Sequence, residues 1–390
     1  MKKTLLASSA LVGASLLAAP AMAGTVGSKD AMSVTLGGAF WFAVGIYEED
    51  VSAGRGRGYR FGVNETEVYV SASNTADNGI KYGVEIELNS GGADTTAADE
   101  AWAFLDSDQW GRLELGDQDD ATNHMRLGSQ NAHKGFGGPA GSLGSILTLF
   151  GGFGGEAAGA RADWDNITTA DDTKVSYFTP RFSGFQLGAS LTPDTGITSG
   201  TGGLVDTDND GDFENVISLG ANYVGKFDEV GVGLSFTGQW GDGESASGSA
   251  LAQEDLAIWG VGGKVDFAGF TIGAHYSDFG DTGITTANAA LGADAGDVWS
   301  VGVGYSSGPW GISAWYTEVD KDNSSASPAG ATKSELQRWG LGMGYTVAPG
   351  WLLRGDLEFI SHDNISSGVG VGTTTDNDGA GFLLTNVFSF

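Results

Sequence analysis

GFLLTNVFSF, residues 381–390, closes the sequence, and its alternation decides the fold. Read with a period of two, Phe382, Leu384, Phe388 and Phe390 share one face, interrupted only by Asn386, while Gly381, Leu383, Thr385, Val387 and Ser389 share the other. A strand that runs to the last residue needs a neighbour for its backbone and an apolar medium for its apolar face. The rest of the chain has to supply both.

Working outward, the same alternation recurs through the sequence. SVTLGGAFWFAVGIY (33–47) puts Val34, Leu36, Phe40, Phe42, Val44 and Ile46 on one side and Ser33, Thr35, Ala39, Trp41 and Tyr47 on the other. EVYVSAS (67–73) continues it. In IKYGVEIEL (80–88), Ile80, Tyr82, Val84, Ile86 and Leu88 oppose Lys81, Glu85 and Glu87, so that second face meets water. Thirteen further segments follow, from EAWAFLD (100–106) to the closing stretch, which makes sixteen. An even number returns the last strand beside the first.

The connections alternate in length. Short links fall at 74–79, 107–110, 181–184, 225–229, 268–269, 306–309 and 348–350; long ones, rich in Gly, Ser, Thr, Asn and Asp, fall at 48–60, 89–99, 117–172, 193–214, 241–254, 280–296, 320–334 and 362–379. Aromatic residues crowd both strand ends, for example Trp110, Phe185, Phe227, Phe270, Trp310 and Trp351 by the short links and Tyr47, Tyr59, Trp102, Trp240, Trp299 and Trp339 by the long ones. Two aromatic bands around alternating strands predict an all-β fold, a transmembrane 16-stranded antiparallel up-and-down β-barrel.

The N-terminus predicts export. Lys2 and Lys3 precede an apolar run, and Ala21-Met22-Ala23 reads as a cleavage site, so residues 1–23 are expected to be a signal peptide and 24–390 a single barrel domain. The formal charge is −30, and removal of Lys2 and Lys3 makes it more negative by two. Such a chain has nothing with which to neutralise phosphates, which argues against nucleic acid. Cysteine is absent. His124, His133, His275 and His362 are scattered and match no catalytic spacing, so no enzyme is expected.

A lumen of sixteen strands is too wide for wall side chains to fill. The connection at 117–172 is long enough to narrow it; acids cluster at its ends (Asp117, Asp119, Asp120, then Asp163, Asp165, Asp171 and Asp172) around a glycine-rich apolar middle. Alternation points Lys81, Arg112, Arg338 and Arg354 inward; Arg60 follows the first long loop, and its direction is not fixed by phase. In DTDNDGDFENVI (206–217), Asp206, Asp208 and Asp210 with Gly211 have the opening spacing of a calcium loop. Ile217 stands where a bidentate Glu belongs, which leaves Asp212 or Glu214 to complete a weak Ca2+ site.

Three stretches carry a family resemblance: GRLELGDQDDA (111–121) leading into the very long loop, TKVSYFTPRFSGFQLGASLTPD (173–194), and the terminal Phe390. With the strand plan they resemble the general bacterial outer-membrane porins, most closely the trimeric alphaproteobacterial type. The resemblance implies that the third long loop folds inward as a constriction, with its acids (Asp117, Asp119, Asp120, Asp163, Asp165) facing basic wall residues (Arg60, Lys81, Arg112, Arg338, Arg354). It also implies a homotrimer in contact with lipid and lipopolysaccharide, with Phe390 as a signal to the barrel-insertion machinery. The expected function is passive diffusion of small hydrophilic solutes and ions without a required cofactor, and the acid excess predicts cation preference. A solute-selective channel and a plugged structural or adhesive barrel remain the alternatives.

Overall fold

The structure is a computed structural model and describes residues 25–26, 31–50, 58–89, 97–139, 169, 171–196, 211–245, 252–323, 333–366 and 374–390. The expected signal peptide, most of the middle of the long loop (Asp163 and Asp165 included) and Asp206, Asp208 and Asp210 lie outside the described residues.

The barrel strands run in chain order. They are β1 (Ser33–Glu49), β2 (Tyr59–Thr75), β3 (Lys81–Asn89), β4 (Ala97–Ser107), β5 (Gly111–Asp117) and β6 (Thr173–Phe178). Then come β7 (Phe185–Asp194), β8 (Phe213–Phe227), β9 (Val230–Gly243), β10 (Leu256–Phe267) and β11 (Phe270–Asp278). The last are β12 (Asp297–Ser307), β13 (Trp310–Asp322), β14 (Lys333–Ala348), β15 (Trp351–Ser366) and β16 (Thr374–Ser389). Each strand pairs antiparallel with the next, and β16 pairs with β1 from Gly379↔Glu49 to Ser389↔Ala39, closing a sixteen-stranded barrel. A two-residue strand, Thr25–Val26, pairs with β1.

Closure answers the question raised by the last ten residues. β16 leaves no free edge, and backbone bonds join Phe390 N–H to the Gly38 carbonyl at 3.0 Å and Gly38 N–H to the Phe390 carbonyl at 2.9 Å. Phe382 and Phe388, each 39% exposed, stand on the outer face, whereas Leu383 and Val387 are buried inside. The same split runs through β7, where Phe185, Leu187 and Leu191 are exposed and Gln186, Ser190 and Thr192 are buried. An apolar outside and a polar inside is the pattern of a barrel bathed in lipid.

Short turns hold the strands at one end. Phe267 and Phe270 pair across Ala268 and Gly269, whose φ values of 50° and 85° are those of a tight mirror-image hairpin turn; Ser183 and Gly184, at 48° and 92°, repeat it. Outside, aromatic pairs bracket the apolar band, with Phe270–Tyr305 and Trp310–Tyr345 at the short-turn end and Trp299–Tyr316 and Trp339–Phe359 at the other.

Three expectations need correction. Strand β2 begins at Tyr59, not Glu67, because the β1–β2 register shifts between Phe40 and Phe42, and an extra residue breaks a period-two reading. Trp102 does not join the outer aromatic band. It sits opposite Glu85 on the inner face, with the Arg112 guanidinium 5.2 Å from its ring. Tyr47 is likewise internal, packed against Ala43 and Leu383.

Candidate functional site

After β5 the chain turns into the lumen and follows the inner wall as a belt, residues 118–139. Its first fixed point is Asp120, the N-cap of the short helix α1 (Ala121–Met125). This carboxylate is wholly buried and accepts six bonds. Three come from its own turn (Thr122 N–H at 2.8 Å, Thr122 Oγ1–H at 2.6 Å, Asn123 N–H at 3.2 Å), and three tie it to other segments, from Thr169 Oγ1 at 2.8 Å, Gln239 Nε2 at 2.6 Å and Ser218 Oγ. Burial alone would push this acid's pKa up. The bonds from Ser218, Thr122, Thr169 and Asn123 together outweigh that and hold it below the usual carboxylate range.

From Asp120 the belt is bonded to one strand after another. Ala121 N–H donates to Ser190 Oγ on β7 at 2.9 Å, Asn222 Nδ2 on β8 donates to the Met125 carbonyl at 3.1 Å, and Leu127 N–H donates to Ser235 Oγ on β9 at 2.9 Å. Ser129 and Ser300 (β12) share a hydroxyl bond of 2.6 Å, and Lys134 N–H donates to Ser313 Oγ on β13 at 2.9 Å. The far end is held on β15. Asp356 accepts from Phe136 N–H at 2.6 Å and Gly137 N–H at 3.3 Å, His133 Nε2 lies 2.9 Å from the same carboxylate, and Arg354 donates to the Gly135 carbonyl at 2.6 Å. Phe136 packs edge-on against Trp41 of β1 at 4.7 Å, and the last described belt residues turn back over the wall, where Thr317 Oγ1 on β13 donates to the Pro139 carbonyl at 2.9 Å.

This geometry redistributes the expected site residues. Arg338 and Arg354 point inward as their phase requires, but both are buried under the belt. Arg338 is 0% exposed, 3.4 Å from Glu358 and 3.5 Å from the Gly138 carbonyl. They grip loop carbonyls where the resemblance implied charges open to the lumen. Asp120, which the resemblance turned toward the lumen, is instead the belt's own buried anchor, and Asp117, at the end of β5, accepts from Thr173 Oγ1. Arg112 lies between Glu114 and Asp106, with Phe104 under its guanidinium at 4.3 Å. Lys81 stays exposed on the inner phase, and Arg60, opposite Gly45, alternates with the outward-facing Tyr59 and Phe61. Asp212 is described and half-buried, with its carbonyl accepting from Gln253 Nε2.

The acids that share an inner surface are mostly on strands. Glu67, Glu85, Glu87, Glu100 and Glu114 occupy the inner phase of β2–β5, and Glu87 stands directly opposite Glu100 in register. Glu85 and Glu87 were legible from alternation. Glu67 and Glu100 each follow directly on a register shift, on β2 and between β3 and β4, where the count breaks; Glu114 shares the phase of Arg112 on β5, which has no shift, and could have been read in the same way. At the rim, Asp119 and Asp171 bring carboxylate oxygens within 4.8 Å of one from Glu100. Burial, then the charges of Asp119 and Asp99, pushes Asp171 up to about 6; burial also pushes Asp172 up to about 7.

Comparison with known proteins agrees with this architecture. A model of the Gram-negative porins matches residues 7–365. Among solved structures, an anion-selective porin from Comamonas acidovorans is 17% identical with a TM-score of 0.57 over 92% of this chain and 100% of its own. OmpT of Vibrio cholerae, in its trimer form, is 14% identical with a TM-score of 0.59 over 93% and 100%. An engineered Rh. blastica porin is 18% identical with a TM-score of 0.54 over 92% and 100%. At such identities these likenesses speak for the fold. No curated protein matches the sequence. The closed barrel, the loop laid inside it and a family match spanning most of the sequence agree, and the chain belongs to the Gram-negative porin family, as an outer-membrane channel rather than an enzyme.

Proposed function

We propose that this channel passes small hydrophilic solutes and ions by diffusion, prefers cations, and works as a homotrimer. The observation that carries the cation preference is the trio Glu85, Glu87 and Glu100, half-buried on the inner phase of β3 and β4, in a chain of formal charge −30; Glu67 and Glu114 share that phase but are buried, and Glu114 is paired with Arg112. Carboxylates along a water-filled wall raise the local concentration of cations and repel anions. The trimer is supported by the trimeric state named for the Vibrio relative.

The test is a planar bilayer with a salt gradient. The expected record shows steps in groups of three and a reversal potential of cation-selective sign. The preference should weaken at about 1 M salt, where the Debye length shrinks to about 3 Å from about 10 Å at 0.1 M. It should also weaken as pH falls. Asp171 and Asp172 are ionised above about 6 and about 7 respectively, so lowering the pH through those values removes negative charge from the rim. Their raised values mean that ionisation costs folded-state stability at higher pH, and protonation relieves it. A reversal potential of anion-selective sign at pH 8 and low salt would refute the cation preference. A saturating flux for one solute would favour a solute-selective channel.

One observation favours a second reading. An apolar cluster including Phe213, Leu256, Phe279, Leu336 and Ile360 covers inner faces of β8–β15, as a plugged structural barrel would have. Folded protein without conductance would make that reading the leading one. Two finer points belong to the same proposal. Calcium binding at 206–212 is supported by the Asp spacing, and calorimetry without heat on calcium addition removes it. An assembly-signal role for Phe390 is supported by its place at the closing seam.

A further inference from the structure

We propose that glycines on the inner phase of β10–β14, chiefly Gly262, Gly273, Gly304 and Gly342, set the calibre of the pore by letting the belt lie flush on the wall. The inference rests on the channel reading above. None of the four has a φ in the left-handed region, so backbone conformation does not explain why they are glycine. Space does.

A Cβ built on Gly262 would lie 1.8 Å from the Leu127 carbonyl oxygen, one on Gly304 1.9 Å from that of Ala132, and one on Gly273 2.2 Å from that of Gly128. On Gly342 it would lie 2.6 Å from the Gly135 nitrogen. At Gly262, Gly273 and Gly304 the nearest obstacle is backbone, which cannot swing aside as a side-chain tip can; at Gly342 the His133 ring and the Ser313 hydroxyl, each at 2.5 Å, come first. The glycines alternate with function along the track. Where belt backbone touches the wall the wall residue is glycine, and where a belt N–H or hydroxyl needs a partner it is Ser235, Ser300 or Ser313.

A methyl group at Gly262, Gly273 or Gly304 has to displace the belt by more than an ångström to restore an ordinary contact distance. The wall does not yield, because each strand is bonded on both sides around a closed ring. The belt's ends do not yield either, held by Asp120 at one end and by Asp356 and Arg354 at the other. The free direction is toward the lumen. These glycines are therefore positioning residues for solute size, acting through the belt without touching solute.

The experiment is single-channel recording and liposome swelling on Gly262→Ala and Gly304→Ala, with Gly302→Ala as a milder step because its nearest obstacle, the Ser129 carbonyl, lies at 2.9 Å. Gly355→Ala is the control. Its Cβ would project from the outer phase of β15 and meet nothing closer than 3.5 Å. We expect the first two to lose roughly a quarter or more of the unit conductance, Gly302→Ala less and Gly355→Ala none. The swelling rate for a tetrasaccharide relative to a monosaccharide should fall in the same order. That ratio does not depend on how much protein folds, and single-channel steps come only from inserted channels, so a poorly folding variant still reports on calibre. Unchanged or raised conductance with an unchanged size ratio in Gly262→Ala and Gly304→Ala overturns the inference. Wild-type protein that conducts nothing would instead strike at the channel reading itself.

Discussion

Asp120→Ala releases the start of the belt, and the expected result is a wider, noisier channel that admits larger solutes while the barrel still folds. The carboxylate accepts six bonds, three of which join the start of the belt to Thr169 near the loop's other end and to Ser218 and Gln239 on the wall. Each buried donor left without a partner costs about 1–3 kcal/mol, so several kcal/mol of attachment disappear with one side chain. The strand ladder is untouched, which is why the barrel survives. Asp120→Asn should give a smaller change of the same sign, since its amide keeps one acceptor oxygen of the right shape and loses the other. The pH dependence follows from the lowered pKa of this acid. The stabilisation is fully present above the ordinary carboxylate value of about 3.9 and is lost only as pH falls through the lower folded-state value. Belt attachment should therefore hold from pH 8 to about 4. Wild-type conductance and size limit in Asp120→Ala would show that the belt does not depend on this anchor. The direction is opposite to that expected for the glycine track, so the two experiments separate loss of attachment from loss of fit.

The other large effect concerns the seam. Truncation after Asp378 removes the part of β16 that pairs with β1 and with most of β15. Two rows of backbone donors and acceptors then face hydrocarbon, where each unsatisfied group costs several kcal/mol. We expect no folded, heat-modifiable species on a gel and no channels in a bilayer. Phe390→Ser is far milder in principle, because the backbone bonds between residue 390 and Gly38 do not need the ring. It should reduce the yield of assembled barrel while leaving unit conductance unchanged. A truncated chain that conducts like the full one would mean that closure does not depend on this strand.

The barrel was readable because its rule is local. A strand lining a water-filled lumen and facing lipid alternates at period two along its length, so SVTLGGAFWFAVGIY and GFLLTNVFSF each disclose their two faces without knowledge of any partner. Their pairing followed from the even number of strands and the chemistry of open edges. The reading slipped where a residue is inserted between alternating ones, at the start of β2 and across β3–β4, because a single bulge reverses every later assignment.

The site was only half legible. Phase placed Arg338 and Arg354 inside the barrel, and so the structure has them, but phase does not say what lies on top of an inward side chain. Asp356 and His133 gave no local sign that they would meet, since a wall strand and a loop more than two hundred residues apart form that contact. The glycine pairs were in view, as Gly260 and Gly262, Gly302 and Gly304, and Gly342 and Gly344, all at inner phase. Without the belt against them they read as ordinary strand glycines. The sequence by itself determined the strands, their inward and outward faces and the closed ring, because short-range alternation and the cost of unpaired backbone in lipid suffice for these. Only the tertiary structure decided which inward charges are buried anchors and which line a surface, because that depends on where a long loop comes to rest on a distant wall.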